Sequence, residues 1–345
     1  MYRIIPGQST RWAVVVLAAI VFATALGVSA DEEKKSEKPF KVALVYDIGG
    51  RGDKSFNDSA YRGLEMAREK LGIEYVVAEP TQGSDREAHL RRFAASDAQL
   101  IFGIGFLFTD DITKIARDFP HKEFACVDYT VQPGKTVPPN VVALKFREQE
   151  GSFLVGAIAG LLTKTNKVGF VGGAEGPLIR KFEKGYSAGV KYVNPSCDVG
   201  VTYAGVSGDA FINPVKGKEL ALSLYNAGAD IIFHASGSTG LGVFKAAEEL
   251  GKRAIGVDSD QADEAKPGVI ITSMLKRVDQ TVYNTIELAM KGQFKGGVKE
   301  WGLKEGVIGY VYNEKNRDII GEEVHQRVEA LKEKIIRGEI VVPYE

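Results

Sequence analysis

The stretch VALVYDIGGRGDKSFNDSAYRGLEMAREKL, residues 42–71, reads as one strand, one polar loop and one helix. Val42 to Tyr46 is a short apolar run of strand length, bounded by Asp47 and a glycine-rich turn. Asp58 to Leu71 instead spaces its apolar residues for a helix, with Ala60, Leu64, Ala67 and Leu71 on one face. A strand feeding a helix through a short loop is the unit from which mostly parallel sheets are built.

The same alternation continues outward along the chain. Strands are expected at Tyr75 to Ala78, Leu100 to Ile104, Phe124 to Asp128 and Val141 to Phe146. A second series follows at Val168 to Val171, Val199 to Ala204, Ile231 to Ala235, Ile255 to Asp258 and Val269 to Thr272. Two doubly wound sheets in tandem accommodate this better than one sheet of ten strands. Leu241 to Leu250, ending at Gly251, reads as another sheet-covering helix. Phe153 to Leu162 is more apolar, yet ten residues are too few to cross a bilayer, so it is expected as a helix buried at a lobe edge.

The first thirty residues have the form of an export signal: Arg3 and Arg11 precede an apolar run from Trp12 to Val28, and Val28-Ser29-Ala30 offers a cleavage site. An uncleaved anchor is the competing reading, since the run nearly reaches bilayer-spanning length. Residues 1–30 are assigned to the signal peptide and the charged residues 31–38 to a disordered tether. No cysteine ends the hydrophobic run, so lipid attachment has no residue to use and a freely diffusing periplasmic protein is expected. Removing the leader leaves 42 Lys and Arg against 45 Asp and Glu, a net charge of −3. That balance favours neither nucleic acid nor an anionic membrane as partner. Roughly 310 residues remain, more than one core usually holds, so two domains are expected. Cys126 lies in an apolar strand pattern and Cys197 in a polar loop; they are read as free, a single bridge being the alternative.

Catalytic signatures are incomplete. Gly103-Ile104-Gly105-Phe106-Leu107-Phe108 has two of the three glycines of a dinucleotide fingerprint, and no phosphate loop occurs. Ser236-Gly237-Ser238-Thr239-Gly240 resembles a nucleophile elbow only loosely and is read as turn chemistry. The four histidines are scattered without metal-ligand spacing, and His234 is read as a satisfied structural residue. No cofactor and no metal are expected.

A polar or acidic residue does recur directly after an apolar strand, at Asp47, Asp128, Ser236 and Asp258. Each alone could be a helix cap. In open parallel sheets, however, the carboxyl ends of strands face the ligand crevice, and the repeated Val127-Asp128 and Val257-Asp258, one per half, suit a shared site. Phe56, Phe182 and Phe211 stand near such strand ends. Phe56 alone could staple its helix to the sheet. Aromatic rings beside carboxylates suit a ligand with a flat π face and several hydroxyls or ring nitrogens, as a nucleoside has.

These residues also carry a resemblance. Asp53 to Ala60, Phe124 to Asp128, Lys167 to Gly173, Pro177 through Phe182 to Gly185, Lys216 to Ala221, Gly228 to Asp230, Ile255 to Gln261 and Thr272 to Asp279 are similar to the basic membrane protein family, purine nucleoside receptors that serve ABC importers. The resemblance implies a type I periplasmic binding fold, two lobes joined by three crossings. It places the first lobe at 39–145 plus about 274–297, and the second at 146–273 plus about 298–345. Carried over by position, Phe56 and either Phe182 or Phe211 stack the base. Asp47, Asn57 and Asp128 address the ligand from the first lobe and Gly237 and Asp258 from the second, with Lys276 near a crossing. Asp258 and Lys276 are expected to act together on the ribose. The implied protein is a monomeric, non-enzymatic receptor handing its ligand to a membrane permease. A sugar or signalling-molecule receptor on the same fold is the rival, and a nucleoside hydrolase the rival of a different class.

Overall fold

The computed structural model describes residues 38–81 and 83–345. The expected leader and, apart from Lys38, the expected tether lie outside the described residues.

Twelve strands run through them: β1 (Lys41–Val45), β2 (Glu74–Ala78), β3 (Leu100–Ile104), β4 (Glu123–Val127), β5 (Val141–Phe146), β6 (Lys167–Ala174), β7 (Asp198–Gly205), β8 (Ile231–Ala235), β9 (Arg253–Asp258), β10 (Ile270–Lys276), β11 (Gly297–Trp301) and β12 (Ile308–Tyr310). The helices are α1 (Phe56–Leu71), α2 (Asp85–Ala94), α3 (Thr109–Asp118), α4 (Glu148–Leu162), α5 (Pro177–Val193), α6 (Pro214–Asn226), α7 (Gly240–Leu250), α8 (Val278–Met290), α9 (Arg317–Ile320) and α10 (Glu322–Ile336).

The strands form two six-stranded sheets, ordered β11-β5-β4-β3-β1-β2 and β12-β10-β9-β8-β6-β7. All pairings are parallel except that of β12 on β10. In both sheets the order in which strands are added reverses at the equivalent place, between β1 and β3 in one and between β6 and β8 in the other. Such a switch point opens a crevice at the carboxyl ends of the strands. This is the type I periplasmic binding fold, two doubly wound lobes joined by a three-segment hinge.

The ten strands read from hydrophobic runs are all present. β11 and β12 were not anticipated: Gly-Val-Lys-Glu-Trp is a charged edge strand, and three residues of β12 leave no pattern to read. α4 spans fifteen residues rather than ten, because Glu148 and Gln149, polar but buried, open it ahead of the apolar run. α1 begins at Phe56, two residues before the expected Asp58. The Asp53 carboxylate accepts from the backbone N–H of Ser55, Asn57 and Asp58 at 2.9, 2.7 and 3.1 Å and so caps the helix. Cys197, expected in a polar loop, is buried; Cys126 is buried in β4, and both are free.

The chain passes between the sheets at Arg147, at Arg277 and through 302–307, and these three segments are bonded side by side. Arg147 N donates to Trp301 O and Arg277 N to Val307 O, each at 2.8 Å, while Leu303 N donates to Glu150 Oε2 at 2.8 Å. The largest apolar cluster runs through both sheets, taking in Tyr46, Phe102 and Phe146 from one and Phe170, Phe233 and Met274 from the other. Among the described residues no helix is long and apolar enough to cross a membrane.

Candidate functional site

The carboxyl ends of the two sheets face each other across a cleft of about 670 Å³, counted with its open mouth. That lies within the range of small-molecule pockets, roughly 300 to 1,000 Å³. Asp47 follows β1, Asp128 follows β4 and Ser236 follows β8, whereas Asp258 closes β9 and Lys276 closes β10. Asp47, Phe56, Asn57, Asp128, Phe182, Phe211, Gly237, Asp258 and Lys276, distant in sequence, all line this one cleft.

Asp128 and Asp258 occupy equivalent places in the two lobes, and both backbones are left-handed, with φ of 62° and 65°. A non-glycine residue enters that region at a cost of about 1 to 2 kcal/mol, and aspartate is one of the few that does so. The turn swings each carboxylate off its strand and into the space between the sheets. Asn57 is oriented by the loop after β1: its side-chain oxygen accepts from Asp47 N at 3.1 Å, so its amide nitrogen is the end left to donate.

Lys276 is the cleft's buried cation. It was expected beyond a strand ending at Thr272; instead β10 continues to Lys276 itself, because β12 pairs along it as far as Ile308. Its Nζ donates to both oxygens of Asp128 at 2.7 and 2.8 Å and lies 3.0 Å from Glu148 Oε1. The rings of Phe146, Phe56 and Phe182 surround it, their centroids 4.8, 5.2 and 5.7 Å away. Burial works against the ammonium charge, but Asp128, Glu148 and Asp258 outweigh it and move the lysine pKa up. Glu148 is held low: burial opposes its charge, and Lys276 with Lys181 overcomes that. Asp258, expected to act with Lys276 on the ribose, does not pair with it directly. Asp258 accepts from the Ser55 hydroxyl instead, and burial pushes its carboxyl up to about 7 despite the attraction of Lys276.

Three contributors were not anticipated. Asp53 lines the cleft while capping α1, Phe106 sets its ring edge-on to Phe211 at 6.5 Å, and Glu148 braces Lys276 from behind. Phe106 had a visible signal, since it follows the apolar strand of Leu100 to Ile104 as Asp47 follows the first. Among the described residues, no group of three or more His, Cys, Asp or Glu is placed to hold a metal ion.

Two α/β lobes, three crossings and a polar, ring-lined cleft at paired switch points define the class of two-lobed ligand-binding receptors. The chain belongs to the Bmp family, PnrA-like substrate-binding proteins of ABC transporters, whose family model matches residues 40–345. It is 40% identical over 353 residues to the CD4+ T-cell-stimulating antigen of Listeria monocytogenes, covering 95% of this chain and 96% of that protein. With the ABC transporter nucleoside-binding protein BmpA of Lactococcus lactis it shares 32% identity over 90% of each chain. Among solved structures, an ABC transporter solute-binding protein from Aeropyrum pernix superposes with a TM-score of 0.80 at 32% identity, over 89% of this chain and 94% of that one.

Proposed function

We propose that this protein captures a nucleoside, with a purine base, between its lobes and delivers it to the permease of an ABC importer. The observation that carries the reading is the pairing of aromatic rings from both lobes with buried carboxylates around one cation, in a single cleft. Phe56 is the ring of the first lobe. In the second lobe Phe182 is buried in the core, whereas Phe211, like Phe56 only partly buried, lies against β6 where Gly173 leaves it room; a Cβ there would fall 2.2 Å from the ring. Phe56 and Phe211 are therefore assigned to the base. The Asn57 amide and the Asp47 carboxylate sit beside each other as donor and acceptor for its polar edge. Asp128, Asp258 and Lys276 serve the ribose, with the backbone of Gly237 closing over it. The name of the Lactococcus relative, a nucleoside-binding protein, agrees with this assignment.

Stacking contributes roughly 1 to 3 kcal/mol per base. Micromolar binding requires about 8 kcal/mol, so charged hydrogen bonds to hydroxyls and ring nitrogens supply much of the remainder. Contacts from both lobes make the ligand favour the closed arrangement. The protein acts as a carrier without chemistry of its own, a monomer exported to the periplasm on cleavage after Ala30. Native mass spectrometry of the protein as purified tests the assignment. A retained mass equal to one nucleoside is expected, and a retained sugar or peptide would overturn it; free base released from inosine would instead identify a hydrolase.

A further inference from the structure

The two motifs that define the cleft walls also bond directly to each other across it. The end of β9 and the loop after it carry Asp258, Ser259 and Gln261; the loop before α1 carries Lys54 and Ser55, and α1 itself carries Arg62. The Ser55 hydroxyl donates to Asp258, Arg62 donates to Ser259 Oγ at 2.6 Å, Ser259 Oγ donates to Ser55 O at 3.3 Å, and Gln261 Nε2 donates to Lys54 O at 3.1 Å. None of these bonds involves a ligand.

Behind this seam lies His234 in β8, fully buried. Its Nε2 is 3.1 Å from Gln261 Oε1 and its Nδ1 is 3.3 Å from Ser236 Oγ. The Gln261 amide has only one orientation open to it, because its oxygen also accepts from Val257 N at 2.8 Å. An acceptor at that oxygen requires the proton on His234 Nε2, which leaves Nδ1 to accept from the Ser236 hydroxyl. Burial pushes the imidazole down to about 4, so the ring is neutral through the ordinary range and the pattern holds there. The fit is close: at Gly256 a Cβ would come within 2.7 Å of Gln261 Oε1 and 2.5 Å of Ser273 Oγ. With its hydrogen committed to the ring, Ser236 presents only lone pairs to the cleft it lines.

We propose that His234 is a positioning residue that joins the cleft wall at Ser236 to a polar latch between the lobes, holding Gln261 so that its amide reaches the first lobe. The latch acts on closure whatever the ligand. Only the identity of the group that Ser236 accepts from, a ligand hydroxyl or N–H, rests on the nucleoside reading.

The test uses spin labels at Glu69→Cys in the first lobe and Glu249→Cys in the second, both exposed positions, in otherwise full-length protein. Distances are measured without ligand and with adenosine, and adenosine dissociation is followed separately. Gln261→Glu keeps the oxygen that His234 and Val257 use and replaces the crossing donor with an acceptor. It should lengthen the interlobe distances and speed adenosine release about tenfold, the scale of one lost buried hydrogen bond. His234→Phe, which touches neither ligand nor first lobe, should do the same. His234→Gln, offering an amide donor and a carbonyl acceptor, should restore the parent distances. The proposal is overturned if His234→Phe lowers only the melting temperature, or if Gln261→Glu leaves distances and release at parent values. Failure of the parent to bind adenosine would count against the nucleoside reading, while the ligand-free distances would still decide the latch.

Discussion

Asp128 and Asp258 show how a single residue type can be forced by its place on a strand. Each ends a buried run, turns into the left-handed region and directs a carboxylate into the cleft, at a cost that local backbone strain at binding sites commonly carries. For Asp258 burial adds a second cost. Its pKa rises from 3.8 to about 7, so the folded protein binds a proton that the unfolded chain releases. Its contribution to stability is greatest below about pH 4 and declines as pH rises to 7. Asp258→Asn keeps the left-handed turn and the acceptor for Ser55 but not the charge. Without ligand it should be more stable than the parent at pH 8, by on the order of 4 kcal/mol, with the advantage fading toward pH 4. Melting curves across that range check this, and calorimetry at pH 8 should show guanosine affinity reduced at least about tenfold. Parallel melting profiles for the two proteins would mean that Asp258 titrates as an ordinary carboxyl. Phe56 poses the converse case, a ring only partly buried against the core. Phe56→Ala should weaken guanosine binding by about 5- to 150-fold, the range of one lost stacking face, with a melting shift of a few degrees. A large loss of stability with normal affinity would make Phe56 a staple for α1.

At the scale of elements, the three crossings decide what the lobes can do, and Glu148 stands where the first of them enters α4. It is fully buried, pairs with Lys276 at 3.0 Å and with Lys181 at 3.1 Å, and so ties α5 and β10 to the end of β5. Removing one member of a buried ionic cluster leaves the others uncompensated, a loss of about 3 to 5 kcal/mol. Glu148→Gln retains the shape, so about 3 kcal/mol is the expected loss at pH 7, measured by denaturant unfolding. Because the Glu148 pKa is lowered on folding, its contribution is present above the unfolded value near 4.5 and is lost as pH falls through the folded one. The gap between parent and variant should therefore narrow in acid; a constant gap would mean that packing, not charge, is what Glu148 supplies. Glu148 also marks the limit of what could be read in advance. Strands were legible because their apolar runs are continuous, and the cleft residues because parallel sheets place ligands at strand ends. Glu148, Asp53 and β11 were not, since a buried charge, a capping carboxylate and a polar edge strand look in sequence like ordinary surface. The length of β10 was hidden for a related reason: Lys276 closes the pattern as a loop residue would, although β12 and three rings hold it in the sheet.

Across the whole molecule the charge distribution separates ligands that the fold alone would treat alike. The walls and backing of the cleft hold Asp47, Asp53, Asp128, Glu148 and Asp258, five carboxylates, against the ammonium groups of Lys276 and Lys181, and both ammoniums are already engaged by Glu148. A neutral sugar or base can donate to these acceptors, and each donation relieves a buried anion. A phosphate is itself anionic, so it would enter a field of its own sign, and the described cations at the cleft, Lys276 and Lys181, are already paired. Guanosine present at about 100 times its dissociation constant should add roughly 2.7 kcal/mol, which for a chain of this size raises the melting temperature by about 5 °C. Guanosine 5′-monophosphate at the same concentration should raise it by less than about 1 °C near physiological salt, and higher salt should rescue little, since screening acts weakly on buried charges. A monophosphate that stabilised the protein as well as the nucleoside does would place the ribose 5′ position at the open mouth, beyond reach of the carboxylates, and would reverse the orientation assigned to the ligand.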